Sequence, residues 1–115
     1  MSDAPVLSGF HRMEDLATAD DFTKKHTPFI DASRDGDTVT VSVSVGHYVS
    51  HPNTPDHFID SIEILVNAVP IVRFDLSAVA VDPNVTAVLH LDPDTNLVAT
   101  ASCNLHGVWT SETTV

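Results

Sequence analysis

The chain has 115 residues, 43% hydrophobic, 18% charged and 6% aromatic, a size and balance that predict one globular domain and exclude a disordered tail. Sixteen acidic against five basic side chains give a formal charge of −11, which excludes a phosphate-reading nucleic-acid surface. No apolar run approaches the ~18 residues of a membrane-spanning helix, and the single Cys103 excludes an internal disulfide framework and any four-cysteine metal module.

Met1-Ser2-Asp3-Ala4-Pro5 has neither the basic start nor the apolar stretch of a secretory leader, so a cytoplasmic protein is expected. Residues 1–25 are acidic and weakly patterned, and Thr18-Ala19-Asp20-Asp21 predicts a short helix or turn, a hydroxyl standing three residues before a carboxylate. Residues 26–115 read as the β domain. Thr38 to Val45 alternates a β-branched apolar residue with Thr or Ser, the mark of a half-buried strand. Asp35-Gly36-Asp37 is a hairpin turn, with Pro28-Phe29-Ile30-Asp31 as the partner strand. Apolar segments follow at 57–67, 71–80, 86–91, 96–102 and 108–114, with turns at Asp82-Pro83-Asn84 and Asp92-Pro93-Asp94. About seven short strands and little helix predict an all-β, immunoglobulin-like antiparallel sandwich, a small barrel being the alternative.

Four of the seven histidines and the only cysteine fall in three clusters: Lys24-Lys25-His26-Thr27-Pro28, His51-Pro52-Asn53-Thr54-Pro55-Asp56-His57, and Cys103-Asn104-Leu105-His106-Gly107-Val108-Trp109. Each is placed where a strand meets a loop, so all three are expected to converge at one end of the sandwich. Neutral imidazole and thiolate are the usual ligands of iron, copper and zinc, and C-x-x-H brings two of them onto one tight turn. Singly, each cluster has a plainer explanation: exposed loop histidines at His51 and His57, a buried structural thiol at Cys103. Their joint occurrence favours a shared metal site. His11, His47 and His90 are expected on the surface or on strand faces.

The KHTP element, the HPNTPDH loop with Ile59 after it, and the ending CNLHGVW together resemble the iron-binding domain of the superoxide reductases, the neelaredoxin and desulfoferrodoxin family. The likeness spans about Lys25 to Trp109 and is nearer the one-iron neelaredoxin type. It implies one non-haem iron per chain, bound by His26, His51, His57 and His106 through four nitrogens and by Cys103 through an axial sulfur. The C-x-x-H histidine would bind through its nearer ring nitrogen and the others through the farther one. It implies one-electron reduction of superoxide to hydrogen peroxide, Lys25 beside the open position, a rubredoxin-like electron donor, and a homo-oligomer, a tetramer by likeness. Trp109 is expected either over the Cys103 turn or simply as a core tryptophan, and Asn104 and Leu105 are expected to support the sulfur through backbone amides.

One position departs from the family pattern. Many relatives carry glutamate two residues before the first histidine, where this chain has Lys24. An ammonium has no lone pair to give a metal, so the oxidised site is expected to hold water or hydroxide, or a carboxylate from Glu14 or Asp21. Lys24 and Lys25 would supply a local positive field. Two other functions compete. A blue-copper site wants two histidines, one cysteine and a nearby methionine, whereas Met1 and Met13 lie far upstream. A non-enzymatic binding or scaffold domain with structural zinc would use four ligands, one fewer than the five available.

Overall fold

The computed structural model describes the backbone of residues 10–12 and the whole of residues 19–115. Thr18, Glu14 and the side chain of His11 lie outside the described residues. In chain order the elements are β1 (Phe10–Arg12), α1 (Asp21–His26), β2 (Phe29–Asp35), β3 (Thr38–Ser44), β4 (Ile59–Val66), β5 (Val69–Asp75), β6 (Asn84–His90), β7 (Asn96–Cys103) and β8 (Gly107–Thr114). They form two sheets, β1-β8-β7-β4-β5 and β2-β3-β6. Strands β2 to β8 are the seven antiparallel strands of the expected sandwich, and β1 adds a short parallel pairing to β8.

The alternation that marks the strands also builds the core. Val39, Val41 and Val43 of β3 are buried against Ile59, Ile62 and Ile64 of β4 and Leu97, Ala99, Ala101 and Cys103 of β7. Each large aliphatic side chain removed from water contributes roughly 1.5–3 kcal/mol. Gly36, at φ +65°, closes the β2–β3 hairpin between Asp35 and Thr38, a left-handed backbone that glycine adopts without steric cost.

Most strand ends shift by a few residues from the sequence-based expectation, and three shifts have a plain local cause. β5 begins at Val69 rather than 71, because Asn67 and Ala68 both adopt positive φ and form a two-residue hairpin turn after β4. It ends at Asp75 rather than 80; residues 76–83 form a loop in which Val79 has φ +68°. The helix begins at Asp21 with Asp20 as its cap, the carboxylate accepting from the Thr23 amide at 2.8 Å.

Strand β4 carries an irregularity just beyond the His51–His57 loop. Ile59 pairs with Cys103 and Ser61 with Ser102, so Asp60 is an extra residue without an opposite number. The bulge lets Ile59 and Ile62, three apart in sequence, face the same core, and it bends the strand where the loop joins it.

Candidate metal centre

Three segments meet at one end of the sandwich. His26 comes from the last turn of α1 and not from a strand end as expected; His51 and His57 lie in the β3–β4 loop; Cys103 and His106 flank the β7–β8 turn. Gly107, at φ +81°, closes that turn, its partner being Cys103. The Thr27 hydroxyl bonds the Thr23 carbonyl at 2.7 Å and fixes the helix end that delivers His26.

The fully buried His26 donates from Nδ1 to the Phe22 carbonyl, one helical turn back, at 2.6 Å. His51 donates from Nδ1 to the Pro52 carbonyl, also at 2.6 Å. A carbonyl only accepts, so the proton sits on Nδ1 in both rings and Nε2 keeps a bare lone pair. The Nε2 atoms of His26, His51 and His57 are buried and have no hydrogen-bond partner. Buried polar atoms are nearly always paired, so three such atoms in one place ask for a ligand. His106 turns the other nitrogen inward, its Nδ1 standing 3.8 Å from Cys103 Sγ.

The four imidazoles form a closed ring. Centroid separations are 4.8 Å for His26–His51, 4.8 Å for His51–His57, 5.0 Å for His57–His106 and 5.1 Å for His106–His26, with interplanar angles of 75–87°. One ligand atom each from His26, His57, Cys103 and His106 lies within 4.8 Å of the others. His51 is outside that tightest set and completes the ring. Two bonds of about 2.0–2.3 Å to a common ion span little more than 4 Å, so the set is close to the size of one ion.

Desolvation sets the charge of the donors. Burial pushes His26 down to about 4 and His51 down to about 3, and it lowers His57. The same burial pushes the Cys103 thiol up, against the backbone amides of Leu105 and His106, which bond the sulfur and lower it. Without a cation, burial favours the neutral forms of His26, His51, His57 and Cys103; a bound cation would satisfy the bare nitrogens and stabilise the thiolate. Four imidazoles and a thiolate suit iron, and five donors exceed a closed zinc site.

Around the donors, Lys25 Nζ lies 5.6 Å from the Phe22 ring centroid, and its charge acts on His26, His51, His57 and Cys103. Lys24 is half-buried one position earlier, and Asp21 is exposed at the opposite end of α1. Trp109 donates from Nε1 to the His106 carbonyl at 3.1 Å, within the Cys103 turn, and stacks on His26. The sulfur-directed amides are those of Leu105 and His106, not Asn104, whose amide donates to the Phe58 carbonyl at 3.1 Å. His47 and His90 are exposed, His47 stacked on Phe29 at 3.8 Å. Phe22 was missed: its ring lies 4.7 Å from His26, 5.0 Å from His106 and 5.6 Å from Trp109. The signal was its spacing, four residues before His26 on one helix face.

The desulfoferrodoxin family model matches residues 18–112. A superoxide reductase of Pyrococcus horikoshii is 34% identical over 110 residues, covering 86% of this chain and 94% of the relative. A desulfoferrodoxin of Clostridium acetobutylicum is 35% identical over 95 residues, covering 83% of this chain and 67% of the relative. The solved superoxide reductase (neelaredoxin) of Archaeoglobus fulgidus in the reduced form superposes with a TM-score of 0.75 at 28% identity, over 92% of this chain and 97% of that one. With the ring of imidazoles, the buried thiol and a match along most of its length, the chain belongs to the desulfoferrodoxin family.

Proposed function

We infer that the chain is a superoxide reductase, reducing superoxide by one electron, with two protons, to hydrogen peroxide at one iron held by His26, His51, His57, His106 and Cys103. The observation that carries this assignment is the set of three buried, unpartnered Nε2 atoms beside the Cys103 thiol. Iron, when bound, supplies a one-electron couple and an open coordination position.

The chain's own residues do the rest. The carbonyls of Phe22 and Pro52 hold two rings in the tautomer that presents Nε2. The amides of Leu105 and His106 stabilise negative charge on sulfur. Phe22 and Trp109 cover His26 and keep water from that side. Lys25 supplies positive charge near the rings and orients water that gives up protons. A chain of formal charge −11 repels an anion at long range, but with a Debye length of about 8 Å the field close to the site decides capture.

Lys24 leaves the oxidised site without the usual glutamate, so water or hydroxide takes its place. A separate rubredoxin-like protein returns the electron, which makes the chain a reductase and not a dismutase. A cytoplasmic homo-oligomer, a tetramer by likeness to one-iron relatives, completes the assignment; among the described residues no helix is long and apolar enough to cross a membrane. The test is metal content and visible spectrum after iron loading. About one iron per chain, a red thiolate-to-ferric band lost on reduction, and fast consumption of pulsed superoxide are expected. Zinc or no metal, and no band, would overturn the assignment.

A further inference from the structure

His26 and His51 are each aimed by a ring nitrogen bonded to a backbone carbonyl. Among the described residues His57 has no such bond from its ring, so its aim has to come from its backbone. That backbone is held on every side. The carbonyl of Asp56, in the peptide before His57, accepts from Asn104 Nδ2 at 2.9 Å. The amide of Phe58, in the peptide after it, donates to Asn104 Oδ1 at 2.9 Å. His57's own amide donates to the Thr54 carbonyl at 3.2 Å and hydroxyl at 3.1 Å, and its carbonyl accepts from the Thr54 amide at 2.9 Å.

The four polar groups of the two peptides flanking His57 are thus shared between Thr54, inside the same loop, and Asn104, on another segment. We infer that the Asn104 carboxamide is a positioning residue that ties the direction of the His57 imidazole to the Cys103 turn. Asn104 directly follows Cys103, and its own amide donates to the Phe58 carbonyl at 3.1 Å. Histidine and thiolate are therefore set as one unit. A carboxamide carries its donor and its acceptor on two separate atoms of one plane, so it can bond both peptides at once; aspartate keeps the bond to Phe58 and turns a second acceptor on the Asp56 carbonyl. Asn104 is itself exposed, so its bonds serve direction more than burial.

The inference rests on the ligand assignment above and is tested with readouts that separate the two. In metal-free protein, Asn104→Ala is expected to speed hydrogen exchange of the Phe58 amide, while Asn104→Asp keeps that amide protected. In iron-loaded protein, both variants are expected to shift or broaden the thiolate-to-ferric band and to bind ferrous iron about tenfold or more weakly in chelator competition, the range seen when a ligand's outer partner is lost. Asn104→Asp, with one bond retained, serves where Asn104→Ala does not fold. Wild-type protein that takes up no iron overturns the ligand assignment itself. Wild-type protein that loads normally, with either variant matching its band and affinity, overturns the role of Asn104 alone.

Discussion

The Trp109 indole lies nearly parallel to the His26 imidazole, with centroids 4.7 Å apart and 17° between planes, while its Nε1 bonds the His106 carbonyl. One side chain therefore touches a donor on α1 and the turn between β7 and β8. It is also the only tryptophan in the chain, so its emission reports on this site alone.

Loading ferrous iron under anaerobic conditions is expected to quench Trp109 fluorescence in a titration that ends at one equivalent per chain. Emission that stays constant while the metal binds would contradict its stacking on a ligand.

Acid is expected to destabilise the metal-free protein. In the unfolded chain a histidine titrates near 6.5, whereas the folded chain holds His26 to about 4 and His51 to about 3 by desolvation. Above pH ~6.5 both states leave these rings neutral and the stability is fully present. As pH falls through 6.5 toward 4 the unfolded chain takes up protons that the folded one refuses, a loss on the order of several kcal/mol. Urea midpoints of the metal-free protein between pH 7.5 and 4.5 check this; a flat profile would mean the rings are not desolvated as described.

Lys25→Ala is expected to slow capture of pulsed superoxide several-fold and to flatten its dependence on ionic strength, because the role proposed for the nearby ammonium is to steer the anion. Rates equal to wild type at both low and high salt would remove Lys25 from the mechanism.

The oxidised wild-type protein is expected to titrate between water and hydroxide at the open position, and Lys24→Glu to add a carboxylate-bound form at lower pH. A carboxylate-to-hydroxide exchange in the wild-type ferric spectrum would refute the water assignment: one lost on removing Glu14 and Asp21 would give the position to those acids, and one that persists would give it to another carboxylate.

Gly46 and Gly36 form a matched pair of tests. Both have positive φ, but a Cβ on Gly46 would come 3.1 Å from the His51 amide nitrogen, whereas one on Gly36 meets nothing within 4 Å. Alanine at either position costs about 1–3 kcal/mol in backbone strain. Only Gly46→Ala is expected to weaken iron binding, because it alone pushes His51. Equal affinity in the two variants would show that the close approach is immaterial to the site.

What the sequence made legible was whatever is local. The alternation of Thr38 to Val45 contains β3 with its core face and runs one residue past its end, and the three clusters contain every donor that meets at the sandwich end. The segment 71–80 misled because its apolar residues continue past Asp75, while Val79 is turned out by a left-handed backbone and its amide bonds the Asn53 side chain, 26 residues away. The two hydrogen bonds from the Asn104 side chain also reach 46 and 48 residues back. Such partners leave no periodic trace, so the sequence singles out Asn104 only by its place beside Cys103, while its amide turns to the Phe58 carbonyl. Phe22 was hidden in an acidic segment whose weak pattern gave no reason to look for an aromatic wall.

The extra residue at Asp60 gives the protein a point of adjustment. Remove it, and Ile59, Ser61, Ile62, Glu63 and Ile64 would still alternate in and out in the order the core requires. The scaffold would keep its facing set, and the change would fall on the angle at which His57 leaves the sheet. Evolution, or an engineer, has here a hinge-like handle that re-aims one donor while leaving the hydrophobic interior unedited.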